Sequence, residues 1–237
     1  MYEWCVERRF EASFYTYVLL DFRKRSNNNG YRETIHISQI GGRTMKHVIV
    51  YAHPNTESFN HAILETVKSE LEEKGHEVRV RDLYELNFNP VLGASDFISF
   101  SQGNTPADIK EEQEHISWAD SITFIYPVWW AGLPAILKGY VERVFSHGFA
   151  YAYGENGIEK LLSGKKGLLL STMGNTKEAY LAGGMFDAMK KTADVGIFEF
   201  TGIETIEHTF YTSVPSVDDS VRKQYLEEVK DVVNRAF

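Results

Sequence analysis

"YPVWWAGLPAILKGYVERVF", residues 126–145, joins the end of an apolar strand to an amphipathic helix. The run before and into it, Ser121–Tyr126 (SITFIY), is short, apolar and β-branched, which reads as a strand buried on both faces. The helix is expected over Leu133–Phe145. Pro127 is expected to end the strand pairing, and Pro134 to start the helix. Between them stand Trp129, Trp130, Ala131 and Gly132, where a turn usually carries short polar residues.

The same switch recurs along the chain. His47–Ala52 (HVIVYA) reads as a buried strand. Asn60–Lys74 follows as a helix, with Ile63, Leu64, Val67 and Leu71 at helical spacing and Gly75 as its stop. Glu77–Leu83 alternates and reads as a strand nearer an edge, and Leu86–Thr105 reads as a long loop. A charged helix runs from Thr105-Pro106 to Trp118, with Pro106 at its first position. A fourth strand is expected over Gly167–Thr172, a helix near Met185–Phe200, a fifth strand over Thr205–Tyr211 and a closing helix over Val217–Arg235. Regular alternation of strand and helix specifies an α/β, doubly wound parallel sheet. Five strands and no G-x-G-x-x-G after the first suit a flavodoxin-like order, 2-1-3-4-5.

Composition removes several classes of function. The 237 residues carry a net charge of -8, opposite to the basic footprint of a general nucleic-acid binder. Cys5 is the one cysteine, so internal disulfides and multi-thiolate zinc sites are excluded. His53 and His61 have no ligand-spaced companions, and no metal is expected. No apolar run approaches the ~18 residues of a membrane helix, and no secretory signal pattern is present. A cytoplasmic protein is expected.

Residues 1–44 differ from the rest. Seven Arg or Lys against five Asp or Glu give them a net +2, leaving the remainder near -10. Ser26-Asn27-Asn28-Asn29-Gly30 is a loop signal. Met45 opens "MKHVIVYAHP", which reads as the start of a domain, 45–237. Gly41-Gly42-Arg43 can be encoded by a purine-rich stretch where a bacterial ribosome-binding site would lie. The expectation is a natural start at Met45, with a regulatory or interface arm as the rival; N-terminal sequencing of the natural protein decides.

Ligands of such sheets bind beyond the carboxyl ends of the strands. Three loops leave that edge. In "AHPNTESFNHA", Thr56, Ser58 and Asn60 surround a helix start, which suits either a phosphate or an ordinary N-cap. Trp129 and Trp130 offer a flat wall to a flat ring, unless they are core aromatics. In "STMGNTKEAY", the small and polar Thr172, Gly174, Asn175 and Thr176 permit close backbone approach to ring heteroatoms, or form a solvated loop.

From Met45 onward the chain resembles the NAD(P)H:quinone oxidoreductase family, flavoproteins of flavodoxin-like fold. The resemblance rests on "AHPNTESFN", "DLYELNFNPVL", "YPVWWAGLPAILKGYVERVF", "HGFAYAY" and, more loosely, "STMGN…Y". It implies that His53, Phe59 and Asn60, with Ser58 at the helix start, hold the ribityl-phosphate part of a flavin. It implies that Pro127, Val128, Trp129 and Trp130 line the isoalloxazine, and that Thr172, Met173, Gly174 and Tyr180, with Asn175 beside them, meet its polar edge. Tyr151 and Tyr153 match aromatics that close the substrate pocket, and Tyr180 matches a tyrosine that assists hydride transfer. The companion histidine falls near Met185-Phe186, a departure, and Met173 stands where a glycine is common. Arg222 in "RKQYLEE" and the "NFNP" loop favour FAD over FMN. The implied activity is NAD(P)H-dependent reduction of quinones or similar flat acceptors by a homodimer with no membrane insertion. The alternatives are a flavin-bearing regulatory subunit of a potassium-efflux system and a flavodoxin-type electron carrier. The latter lacks its T-x-T-G-x-T phosphate pattern here.

Overall fold

The computed structural model describes residues 18–21, 36–39 and 43–237. Strands β1 (Val18–Asp21) and β2 (His36–Gln39) form an antiparallel pair. The remainder of the 1–44 segment, and the reading of it as an arm or an over-long start, lies outside the described residues.

The main sheet contains β3 (Lys46–Tyr51), β4 (Glu77–Asp82), β5 (Ser121–Pro127), β8 (Lys166–Thr172) and β9 (Glu204–Tyr211). All its pairings are parallel and its order is β4-β3-β5-β8-β9, which is 2-1-3-4-5 in the sheet's own succession. The central β5 is buried at every position, as its apolar run requires, and the alternating β4 lies at an edge. One core packs Val48, Val50, Phe124, Tyr126 and Leu169 beneath Leu137, Tyr140 and Phe198. The opposite face packs Ile49, Tyr51, Ile125 and Leu170 against α1 (Phe59–Glu73) and the last helix, α7 (Asp219–Ala236). Each buried aliphatic side chain contributes roughly 1.5–3 kcal/mol of transfer free energy.

Four local readings are corrected. Leu86–Thr105 is not all loop: it contains α2 (Ala94–Ser101). This helix is fixed from a distance. Buried Arg143 of α4 (Ala135–Val144) donates from Nε to Asp96 at 2.9 Å and from Nη1 to Asp108 of α3 (Ala107–Trp118) at 2.5 Å. Pro106 is the N-cap of α3 rather than its first helical residue. A hairpin, β6 (Tyr151–Gly154) with β7 (Gly157–Lys160), interrupts the expected succession. The segment near Met185–Phe200 follows α5 (Lys177–Ala182) and is α6 (Met185–Lys190) running into a π-helix, Lys191–Glu199. Among the described residues no helix is long and apolar enough to cross a membrane.

Candidate functional site

The carboxyl edge of the sheet is formed by the ends of β3, β5 and β8. Pro127 does not end the pairing there, contrary to expectation. It stands in register with Thr172, and the next residue, Val128, donates its N–H to the Thr172 carbonyl at 2.7 Å. Successive N–H groups of a strand point to opposite sides. The donor that proline lacks would therefore point toward β3, whose last bond to β5 runs from the Ala52 N–H to the Ile125 carbonyl at 3.0 Å.

Beyond Val128 the chain makes a two-residue hairpin turn. Trp129 and Gly132 exchange both backbone hydrogen bonds at 3.1 Å, and Trp130 and Ala131 have φ of 49° and 61°. Positive φ at both central positions defines a type I′ turn, normally made by Asn-Gly. A tryptophan and an alanine there hold roughly 1–2 kcal/mol of strain each. The turn does not bury its aromatics: Trp129 is 42% exposed and Trp130 is 103% exposed. The core reading of the pair is therefore eliminated. Trp129 lies 6.2 Å from the His53 ring, centroid to centroid.

The β3–α1 loop contributes a cap and an unpaired amide. Ser58 is the N-cap of α1: its Oγ accepts from the His61 N–H at 3.2 Å. The ordinary-cap reading thus holds for this hydroxyl. The N–H groups of Phe59 and Asn60, in the first turn, have no acceptor among the described residues. Asn60 is buried; its Nδ2 donates to Thr172 Oγ1 at 2.8 Å, while its Oδ1 has no partner. Such an orphan costs about 1–3 kcal/mol unless a ligand or water completes it. The Phe59 ring instead packs toward Tyr211 and Tyr225, so what it offers the edge is backbone. His53 Nδ1 lies 3.1 Å from the Asn55 N–H and 3.2 Å from the Asn55 carbonyl, and burial lowers its pKa, which favours the neutral imidazole.

Past β8 the four predicted residues divide. Thr172 is tied to Asn60, and Gly174 and Asn175 are exposed. Met173 is drawn inward: it is 3% exposed, its N–H donates to the Tyr211 carbonyl and its carbonyl accepts from Val214. Both its side chain and its backbone are engaged in the fold. Tyr180 is half-buried against Phe186 at 5.5 Å.

The remaining predicted residues lie in separate contact groups. Tyr151 and Tyr153 stand on β6 with His147, whose ring stacks on Tyr153 at 5.3 Å, and Tyr151 also meets Phe200 at 5.2 Å. His147 is an addition that sequence reading missed. Arg222 donates to Asp219 Oδ1 and, from Nη1, to the Val214 carbonyl at 3.0 Å, bracing the loop before α7. Among the described residues no group of three or more His, Cys, Asp or Glu could hold a metal ion.

Sequence reading also missed a buried polar chain just below this edge. His208 of β9 has Nδ1 2.6 Å from Asp194 Oδ1 and Nε2 3.2 Å from Tyr126 OH. Burial, reinforced by the Asp194 charge, raises the Tyr126 pKa and keeps its phenol protonated. Nothing in the spacing of residues 126, 194 and 208 marks them as neighbours.

The edge offers an exposed indole to a flat ring and the free N–H groups of a helix start to an anionic arm. Comparison with known proteins gives the same direction. The family described as having a flavodoxin-like fold matches residues 45–233. A protein of Haemophilus influenzae, named as an uncharacterized NAD(P)H oxidoreductase, is 39% identical over 77% of this chain and 91% of its own length. NAD(P)H dehydrogenase [quinone] 1 of Rattus norvegicus is 33% identical over 76% of this chain and 73% of its own. The solved NAD(P)H:quinone oxidoreductase from Methanothermobacter marburgensis superposes with a TM-score of 0.71 at 31% identity, over 80% of this chain and 94% of that one. The chain belongs to the flavodoxin-like family of NAD(P)H oxidoreductases and quinone reductases.

Proposed function

We propose that the protein is an NAD(P)H-dependent flavoprotein that reduces quinones or similar flat acceptors. The observation that carries this reading is Trp130: an indole held wholly in solvent on a strained turn at the end of the central strand. A protein gains nothing in stability from that arrangement, whereas a flat ligand gains a preformed aromatic surface. Bound flavin would supply the redox chemistry, taking a hydride from NAD(P)H and passing the electrons to the acceptor.

The chain's own residues orient and close the site. Trp129, Trp130, Pro127 and Val128 would line the ring. The N–H groups of Phe59 and Asn60 would meet the ribityl-phosphate arm, with His53 beside them. Gly174, Asn175 and Thr172 would approach the polar edge of the ring. Tyr180 would donate a proton to the acceptor. We assign FAD, with the unused part of the Arg222 fork meeting its dinucleotide end.

Homodimerisation belongs to the same reading. Val91, Phe97 and Ile98 are exposed apolar residues, and Tyr153 is 73% exposed on the hairpin. A second copy would cover this surface and bring Tyr151 and Tyr153 to the pocket. Sedimentation analysis tests it: a monomer at micromolar concentration refutes the dimer.

The decisive experiment is the absorption spectrum of the purified protein, chromatography of the released cofactor and steady-state NADH and NADPH oxidation with menadione. Yellow protein with quinone-dependent turnover is expected. Colourless protein that rebinds neither FMN nor FAD overturns the reading; flavin-loaded protein without turnover leaves a binding role only.

A further inference from the structure

The buried chain under the carboxyl edge has a defined direction. Tyr126 and Ser171 are register partners on β5 and β8, each one residue before a loop of the site. Both face His208 Nε2, at 3.2 Å and 3.5 Å. The Asp194 carboxylate accepts at Nδ1, so in the neutral ring Nδ1 carries the proton and Nε2 accepts from the Tyr126 hydroxyl. Ser171 Oγ donates to the Thr209 carbonyl at 3.3 Å. The Phe210 ring stacks on the imidazole at 4.1 Å. Asp194 comes from the π-helix, so the chain links that helix to three strands.

Hydroxyl, imidazole and carboxylate are connected as in an acyl-transfer relay. Chemistry of that kind is excluded here: Tyr126 is 2% exposed and the His208 side chain is fully buried, so no substrate carbonyl reaches the phenol. Apolar side chains would fill the same space without burying polar groups. What a satisfied polar chain adds is direction, because each hydrogen bond fixes an angle as well as a distance. Its reach is the penultimate residue of each central strand, directly beneath the final ladder bond from Val128 to Thr172.

We propose that His208 is a positioning residue for the cofactor edge, acting through Tyr126 and Ser171 to set the loops at residues 127–132 and 172–176, with Asp194 fixing its tautomer. The ligand readout of this proposal rests on the flavin reading above; its structural readout does not.

The test uses the full chain with Tyr126→Phe, His208→Phe, the double variant and His208→Gln, whose amide oxygen restores an acceptor. Amide hydrogen exchange is followed over 127–132, 172–176 and, as a control, 46–51; FMN and FAD affinities are measured by fluorescence. Tyr126→Phe and His208→Phe should each speed exchange in both loops by about fivefold or more, leave 46–51 unchanged and weaken flavin binding about fivefold. The double variant should be no worse than the poorer single one, and His208→Gln should recover most of the loss. Unchanged loops, a uniform rise that includes 46–51, or multiplicative single effects would overturn the proposal. Should His208→Phe fail to fold, Tyr126→Phe alone decides, since it removes one oxygen and keeps the ring. A wild type that binds neither flavin refutes the functional reading, and the exchange data still decide the positioning role.

Discussion

The two ends of the same sheet are built on different terms. At the amino end the connections are stitched together: Lys46 N–H meets Asp120 Oδ2 at 2.9 Å, Asp120 N–H meets the Lys46 carbonyl at 2.8 Å, and Lys166 N–H meets the Asp120 carbonyl at 3.0 Å. His47 is sealed there, fully buried between His76 and the edge of Phe237, at ring distances of 5.0 and 4.5 Å, with neither ring nitrogen hydrogen-bonded. At the carboxyl end the backbone is strained at Trp130 and Ala131, and an indole stands in water. The backbone stitching of the first favours the folded state. The second sacrifices some stability and leaves an aromatic surface exposed.

If that contrast is right, perturbing the amino end should change stability and leave ligand binding alone. The largest effect is expected from acid. Burial, aided by His76, lowers the His47 pKa from 6.5 to about 4. The native imidazole stays neutral while the unfolded one takes up a proton below 6.5, so this contribution is complete above that pH and is lost as pH falls toward 4. Urea unfolding at pH 7 and pH 4 should differ by about 3 kcal/mol more in the wild type than in His47→Phe. Equal acid sensitivity in both would remove His47 from the account.

Next comes Gly167→Ala at the same end. A Cβ there would lie 2.3 Å from the Phe198 ring and 2.9 Å from Ile203. Overpacking of this kind should cost about 2–3 kcal/mol in thermal or urea unfolding, with flavin affinity per folded molecule unchanged. At the carboxyl end the pattern should invert. Trp130→Ala should weaken flavin binding about tenfold, or about 1.4 kcal/mol, while stability changes by less than about 0.5 kcal/mol. A variant that loses stability but keeps its flavin would break the comparison. The smallest effect is expected from Ala131→Gly, which relieves the positive φ and should stabilise by about 0.5–1 kcal/mol. A destabilised Ala131→Gly protein would mean that the turn is not strained.

The fold was legible because its information is local. The apolar run of β5, the alternation of β4 and the helical spacing of Ile63, Leu64, Val67 and Leu71 each record which faces are buried. The elements that sequence reading missed are held by distant partners instead. Helix α2 is eight residues long, has a glycine at its N-cap, and is anchored through Asp96 to an arginine 47 positions away. The hairpin strands are four residues each, too short for a periodic signal. Within the site, composition marked Trp129, Trp130, Asn60 and Gly174 as unusual. It could not separate Met173, which the core takes, from its exposed neighbours, because burial at a strand end depends on what packs across it.

By itself, then, the sequence determined the parallel five-stranded order and the family resemblance. These follow from periodicities and motifs contained within single stretches of chain. Only the tertiary structure decided that Trp130 faces water on a type I′ turn, that Asn60 reaches Thr172, and that Asp194, His208 and Tyr126 form one buried chain. Those contacts join residues far apart in sequence, and their energies depend on burial and direction, which no local pattern encodes.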